Sequence, residues 1–251
     1  MSDEPQIVLR HLELEDYPQL RDAYERSYVN TGNECWTEAD LARLLNLFPE
    51  GQFGIEVEGT LAAVALAIMV DYRKFGDRHT YKQITGNFTF STHDPDGDVL
   101  YGIEIFVHPD YRGFRLGRRL YDARKELCEN LNLRSIVAGG RLPLFENYAR
   151  EMTPRQYIDK VKAREIHDPT LTFQLSNDFQ VKRILHNYDP EDSQSRGLAT
   201  LLEWNNIYYE KDERLIGAIK ETVRIGLVQW QMRTLPGFDA LVEQVEYFVD
   251  A

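Results

Sequence analysis

The sequence predicts an α/β (α+β) domain, a central sheet with helices on its faces. Three observations carry this. The longest apolar run, residues 61–70, falls well short of the about 20 residues a bilayer span needs and reads as a strand buried on both faces. A second such run, 99–107, is followed by Leu116, Leu120, Ala123, Leu127 and Leu131, spaced by three and four residues as on one face of an amphipathic helix. Strand-like and helix-like segments then interleave along the chain, which is the pattern of a sheet covered by helices.

Taken in order, residues 7–12 read as a short strand. Residues 15–28 read as a helix, with Leu20, Tyr24 and Tyr28 four apart on one face. Thr37 ahead of Glu38 and Asp40 marks the N-cap of a second helix over 37–47. Strands over 52–57 and 60–70 flank Glu58-Gly59, a pair suited to a tight hairpin turn. The polar stretch 71–98 precedes the strand 99–107, which His108-Pro109 stops. After the amphipathic helix come a strand over 133–138 ended by Gly139-Gly140, a helical stretch over 145–162 interrupted by Pro154, and a short helix over 169–176. Two strands over 179–188 and 197–206 are joined by the polar loop 189–196.

Composition narrows the function. With 43% hydrophobic residues, 251 residues suffice for a sizeable core. A net charge of -12 argues against nucleic acid or an anionic membrane as partner, because both repel a polyanion at long range. Cys35 and Cys128 stand far apart, and the six histidines show no metal-ligand interval, so no metal site is read and a reducing cytoplasm is the expected location. Residues 1–6 are polar and acidic, unlike a signal peptide. No GxSxG elbow is present.

The chemistry gathers at the turn into the amphipathic helix. Arg112-Gly113-Phe114-Arg115-Leu116-Gly117-Arg118 brings backbone amides to a helix N-terminus, where they and the helix dipole form an anion site suited to a pyrophosphate. Arg112, Arg115, Arg118 and Arg119 add four cations within eight residues of an acidic chain. A phosphate ligand would account for that reversal.

This segment resembles the acetyl-CoA loop of the GNAT acyltransferase superfamily, whose pattern is Arg or Gln, two residues, Gly, any residue, then Gly or Ala. Residues 107–113 resemble the usual entry, Arg112 matches the first position and Gly117 the last, while Arg115 replaces the first glycine. The resemblance implies a GNAT fold, with a mixed, mostly antiparallel sheet of about seven strands splayed at the cofactor strand. It also implies acetyl-CoA as cofactor, with Ile105, Phe106, Val107, Arg112, Gly113, Phe114, Arg115, Leu116, Gly117 and Arg118 around it, and a small-molecule or peptide amine as acceptor.

Amine acylation needs a base for the ammonium proton and an acid for the leaving thiolate. Glu104 is the candidate base, its side chain expected on the strand face opposite Ile103 and Ile105. Many GNAT enzymes carry a tyrosine acid ahead of a Gly-Phe pair. Asp178-Phe179 resembles that pair, which puts Gln174 in the tyrosine's place and leaves Tyr148 and Tyr157 as substitutes, Tyr148 being the catalytic candidate.

The expected domains are a GNAT acyltransferase-like unit over 1–210, a connector over 211–222 and, over 223–251, one strand and one helix. That last stretch resembles the start of a carbon-nitrogen hydrolase (nitrilase-like) domain, truncated before its catalytic residues. The alternative function is a non-catalytic CoA-binding or positioning module attached to such a hydrolase. The sequence leaves a homo-oligomer open.

Overall fold

The computed structural model describes residues 5–29 and 35–211. The chain divides into the units Met1–Glu213 and Arg214–Ala251, and every described residue lies in the first. The strand and helix expected over 223–251 lie outside the described residues.

Seven strands form one sheet in the order β1-β2-β3-β4-β5-β7-β6. β1 (Ile7–His11), β2 (Phe53–Val57), β3 (Thr60–Val70) and β4 (Val99–Val107) run antiparallel to one another in sequence. β4 pairs parallel with β5 (Ser135–Gly140), while β6 (Gln180–Leu185) and β7 (Ala199–Asn205) add an antiparallel pair with β7 inside. This is the mixed, mostly antiparallel sheet that the resemblance implies. Glu58 and Gly59 turn β2 into β3 with φ of 52° and 76°, the two positive angles of a type I′ hairpin.

Helices α1 (Tyr17–Ser27) and α2 (Glu38–Leu47) cover one face, with the short α3 (Tyr81–Ile84) beside them. Thr37 caps α2 as expected, accepting from the Asp40 amide. α4 (Leu116–Asn130), α5 (Phe145–Tyr148), α6 (Pro154–Lys162) and α7 (Pro169–Ser176) lie on the other face. β3 shows why two helical layers fit. Val64, Leu66, Ile68 and Val70 fill the α1 side, while Ala63 and Ala65 on the α4 side let Leu116, Leu120 and Ala123 come close.

Two expectations need correction. The stretch 145–162 is not one helix, because Pro154 starts α6 behind the capping residue Thr153 instead of interrupting it. Leu131 lies past the end of α4 and is 37% exposed, and the buried face of α4 is completed instead by Tyr121, Arg124 and Cys128.

Candidate functional site

β4 ends at His108, whose ring accepts from the Asp110 amide, and the chain then turns into α4. Gly113 has φ of 96° with nothing within 4 Å of a Cβ placed there, so its outer side is open. Arg115 is the N-cap of α4 and sits at φ 58°, ψ 24°, the left-handed conformation in which glycine is usual. Its backbone therefore follows the path a glycine would take, and the arginine side chain is added to it. Among the described residues no carbonyl accepts from the amides of residues 113–117. Arg112, Arg115, Arg118 and Arg119 are exposed, and among the described residues none of them forms an ion pair.

Leu116 and Gly117 are buried, and Gly117 has a separate reason for lacking a side chain. A Cβ there would lie 2.6 Å from the Phe173 ring of α7. Phe114 is 42% exposed at the loop tip.

Beyond the loop the sheet opens. The β4–β5 pairing ends at Gly102 and Ala138, and β5 runs on to Gly140 against β7 alone. β4 keeps β3 as partner but carries an extra residue, since Leu66 faces Glu104 and Ala67 faces Gly102. Ile103 is thus bulged, and the bulge splays β4 away from β5. Arg124 of α4, 2% exposed, reaches under the bulge and donates through one terminal nitrogen to the carbonyls of Leu66 and Glu104. Among the described residues no carboxylate is hydrogen-bonded to it, and burial pulls its pKa down to about 10.

The bulge also corrects the expected facing of Glu104. Ile105 and Val107 do point to the α4 side, opposite Glu104, but Ile103 packs with Phe106 and Tyr24 on the α1 side that Glu104 shares. An added residue shifts the two-residue alternation by one, which periodicity alone does not register. Phe106 packs edge-on to Tyr24 and Tyr28, and the Val107 carbonyl already accepts from the Ser27 hydroxyl at 3.1 Å.

Glu104 accepts from the Tyr28 hydroxyl at 2.6 Å and from the Ile105 amide at 3.1 Å. Burial raises its pKa, and those two hydrogen bonds moderate the rise. Tyr28 is itself pushed well above its ordinary value, by burial first and by the adjacent carboxylate second. Arg141 lies over the Tyr28 ring at 5.4 Å and is clamped through two nitrogens by Asp192 at 2.6 and 2.7 Å. Asp192 is 1% exposed and also accepts from Ser195. Behind this group His79 Nε2, the Tyr101 hydroxyl and the Tyr188 hydroxyl form a buried chain with steps of 2.8 Å.

The structure therefore joins Glu104 to Tyr28 and Arg141, and sets α4 and its loop beside the opened strands. Tyr148 packs instead on the Tyr157 ring at 5.4 Å within the cluster under α6 and α7. Tyr157 donates to Asp168 at 2.6 Å, which caps α7. Gln174 is buried against Tyr121. Asp178 has φ of 66°, a glycine-like angle, and Phe179 packs on Tyr121 at 4.9 Å. Sequence reasoning does not single out Tyr28, Arg124, Arg141 or Asp192 as site residues. The pairs Tyr28–Glu104, Arg124–Glu104 and Arg141–Asp192 span 76, 20 and 51 residues, so spacing carried no sign of them.

Residues 17–143 match the model of the acetyltransferase (GNAT) family. The chain belongs to the GNAT family. It is 34% identical over 223 residues to an uncharacterized N-acetyltransferase, YkwB, of Bacillus subtilis (strain 168), a match covering 82% of this chain and 98% of that protein. It is 40% identical over 248 residues to the probable hydrolase YhcX of the same organism, covering 98% of this chain and 48% of the relative. The GNAT chain thus spans about half the length of that protein. Among solved structures, the loading GNATL domain of CurA from Lyngbya majuscula superposes with a TM-score of 0.69 at 20% identity, covering 80% of this chain and 98% of that one. A GNAT-like decarboxylase, GphF, in complex with isobutyryl-CoA gives 0.66 at 22%, covering 79% and 98%. At such identities the superpositions establish the GNAT fold.

Proposed function

We propose that the described unit is an N-acyltransferase that moves an acetyl or related acyl group from acyl-CoA to a primary amine, carried by a small molecule or a peptide. The observation that carries this is the row of unpaired amides at residues 113–117, ringed by unpaired arginines at a helix N-terminus. That arrangement fits a diphosphate, since amides, helix dipole and guanidinium groups all favour anionic oxygen. Arg112, Arg115 and Arg118 would hold the diphosphate, and the edge of β4 at Ile105–Val107, which has no β5 partner, would lie along the arm. Bound there, the cofactor supplies an activated thioester.

Glu104 takes the ammonium proton in this reading. Its burial raises its proton affinity towards what a base working near neutral pH needs. Tyr28 fixes which carboxylate oxygen is engaged, and the Arg141–Asp192 pair holds Tyr28 from behind. The test is acetyl-CoA turnover against a broad panel of amines, read as CoA release. Glu104→Gln should lower kcat by about 10²- to 10⁴-fold with acetyl-CoA affinity kept. A full-rate Glu104→Gln enzyme would remove the base assignment. Undetectable acetyl-CoA binding by the wild type would remove the reading itself.

A second reading has its own support. Gln174 cannot donate a proton as an acid, and a relative about twice as long is named a probable hydrolase. On that reading the unit binds acyl-CoA without turning it over and positions a carbon-nitrogen hydrolase domain whose first residues are 223–251. Tight acetyl-CoA binding with no CoA release on any amine would favour it.

A further inference from the structure

Two buried side-chain polar atoms lack a hydrogen-bond partner among the described residues, Arg124 Nε and Gln174 Oε1. Leaving a buried polar atom unpaired is costly, so each such atom calls for a reason. Both border the same opening. Arg124 lies against Gly102, where the β4–β5 pairing ends, and Gln174 Oε1 lies against Gly140, two residues beyond the last pair on β5. Gln174 lies beside Tyr121 of α4, and a Cβ on Gly140 would collide with its Oε1.

The position relative to the anion site is set by α4. Tyr121 is five residues from Leu116, about 7.5 Å along the helix axis. A ligand with its diphosphate on the α4 N-terminus and an extended chain running into the opening would run past Tyr121, beside which Gln174 lies. The orphan is an acceptor, and the complementary group is an amide N–H. We propose that Gln174 Oε1 accepts a hydrogen bond from an amide N–H of the pantetheine arm of acyl-CoA, holding the arm in the opening between β4 and β5. Gln174 is then a cofactor-positioning residue. Gly140 is bare so that this amide can face the opening.

The inference rests on the proposed CoA site, and the test separates the two. Calorimetric titration of the full 251-residue chain uses two ligands. One is acetyl-CoA, and the other is adenosine 3′,5′-bisphosphate, which carries the nucleotide phosphates and no pantetheine. Gln174→Leu should weaken acetyl-CoA binding about tenfold, the size of one lost hydrogen bond, and leave bisphosphate binding unchanged. Gln174→Met, which retains the length without the acceptor, should behave alike. Unchanged acetyl-CoA affinity in both variants overturns the role of Gln174 while the CoA site stands. An equal loss for both ligands also overturns it, as a general disturbance of α7. A wild type that binds neither ligand overturns both.

Discussion

At the residue scale the site is a set of local costs. Glu104 has a raised pKa because burial disfavours its charge, so its ionisation opposes folding at neutral pH. The sign follows from linkage. A folded-state pKa above the unfolded value gives stability that is complete below the unfolded pKa and lost as pH rises through the folded one. Glu104→Gln should therefore melt higher than the wild type at pH 7 and show a smaller loss of melting midpoint between pH 4 and 8, followed by calorimetry. Tyr28→Phe acts in the other direction on the same group. Tyr28 donates to the carboxylate, so its loss should move the acidic limb of the kcat/KM profile to higher pH. An unmoved limb would separate Tyr28 from the base. Arg115 also carries a cost, its left-handed backbone being unfavourable by about 1 kcal/mol. Arg115→Gly should gain about that much stability in denaturant unfolding while weakening acetyl-CoA binding, by loss of a cation.

At the scale of elements, α4 joins the loop to the opened strands. Gly117 packs on Phe173, so Gly117→Ala forces a methyl into an occupied place and should cost about 1–3 kcal/mol in urea unfolding, whatever it does to the cofactor. For that reason Gly117 is a poor probe of phosphate binding and Arg112 a better one. Arg124→Met would leave the Leu66 and Glu104 carbonyls unpaired beneath the bulge. It should destabilise the fold by about 2–4 kcal/mol and lower kcat through Glu104, with the melting midpoint and a single-turnover rate as readouts. The amphipathic period of α4 was legible because it repeats within the helix. The bulge was not, since it is a mismatch between β3 and β4 and exists only once they pair.

For the whole molecule, the division after Glu213 suggests a direct trial. Residues 1–213 expressed alone should melt cooperatively and bind acetyl-CoA as the full chain does. A drop in the melting midpoint of more than a few degrees would show that 214–251 contribute to the first unit's stability. The relative named a probable hydrolase, of which this chain spans 48%, makes the longer protein the proper subject for hydrolase assays.

The succession of the seven strands, the hairpin at Glu58-Gly59, the cap at Thr37 and the arginine-rich loop could all be read from the sequence by itself, because each depends on neighbours within about one helical turn. Tertiary structure decided the face Glu104 presents, its union with Tyr28 and Arg141, the reason Gly117 is bare and the unpaired atom of Gln174. Each of these depends on which strands end, bulge or pair, and pairing over tens of residues is settled by the packing of the whole sheet.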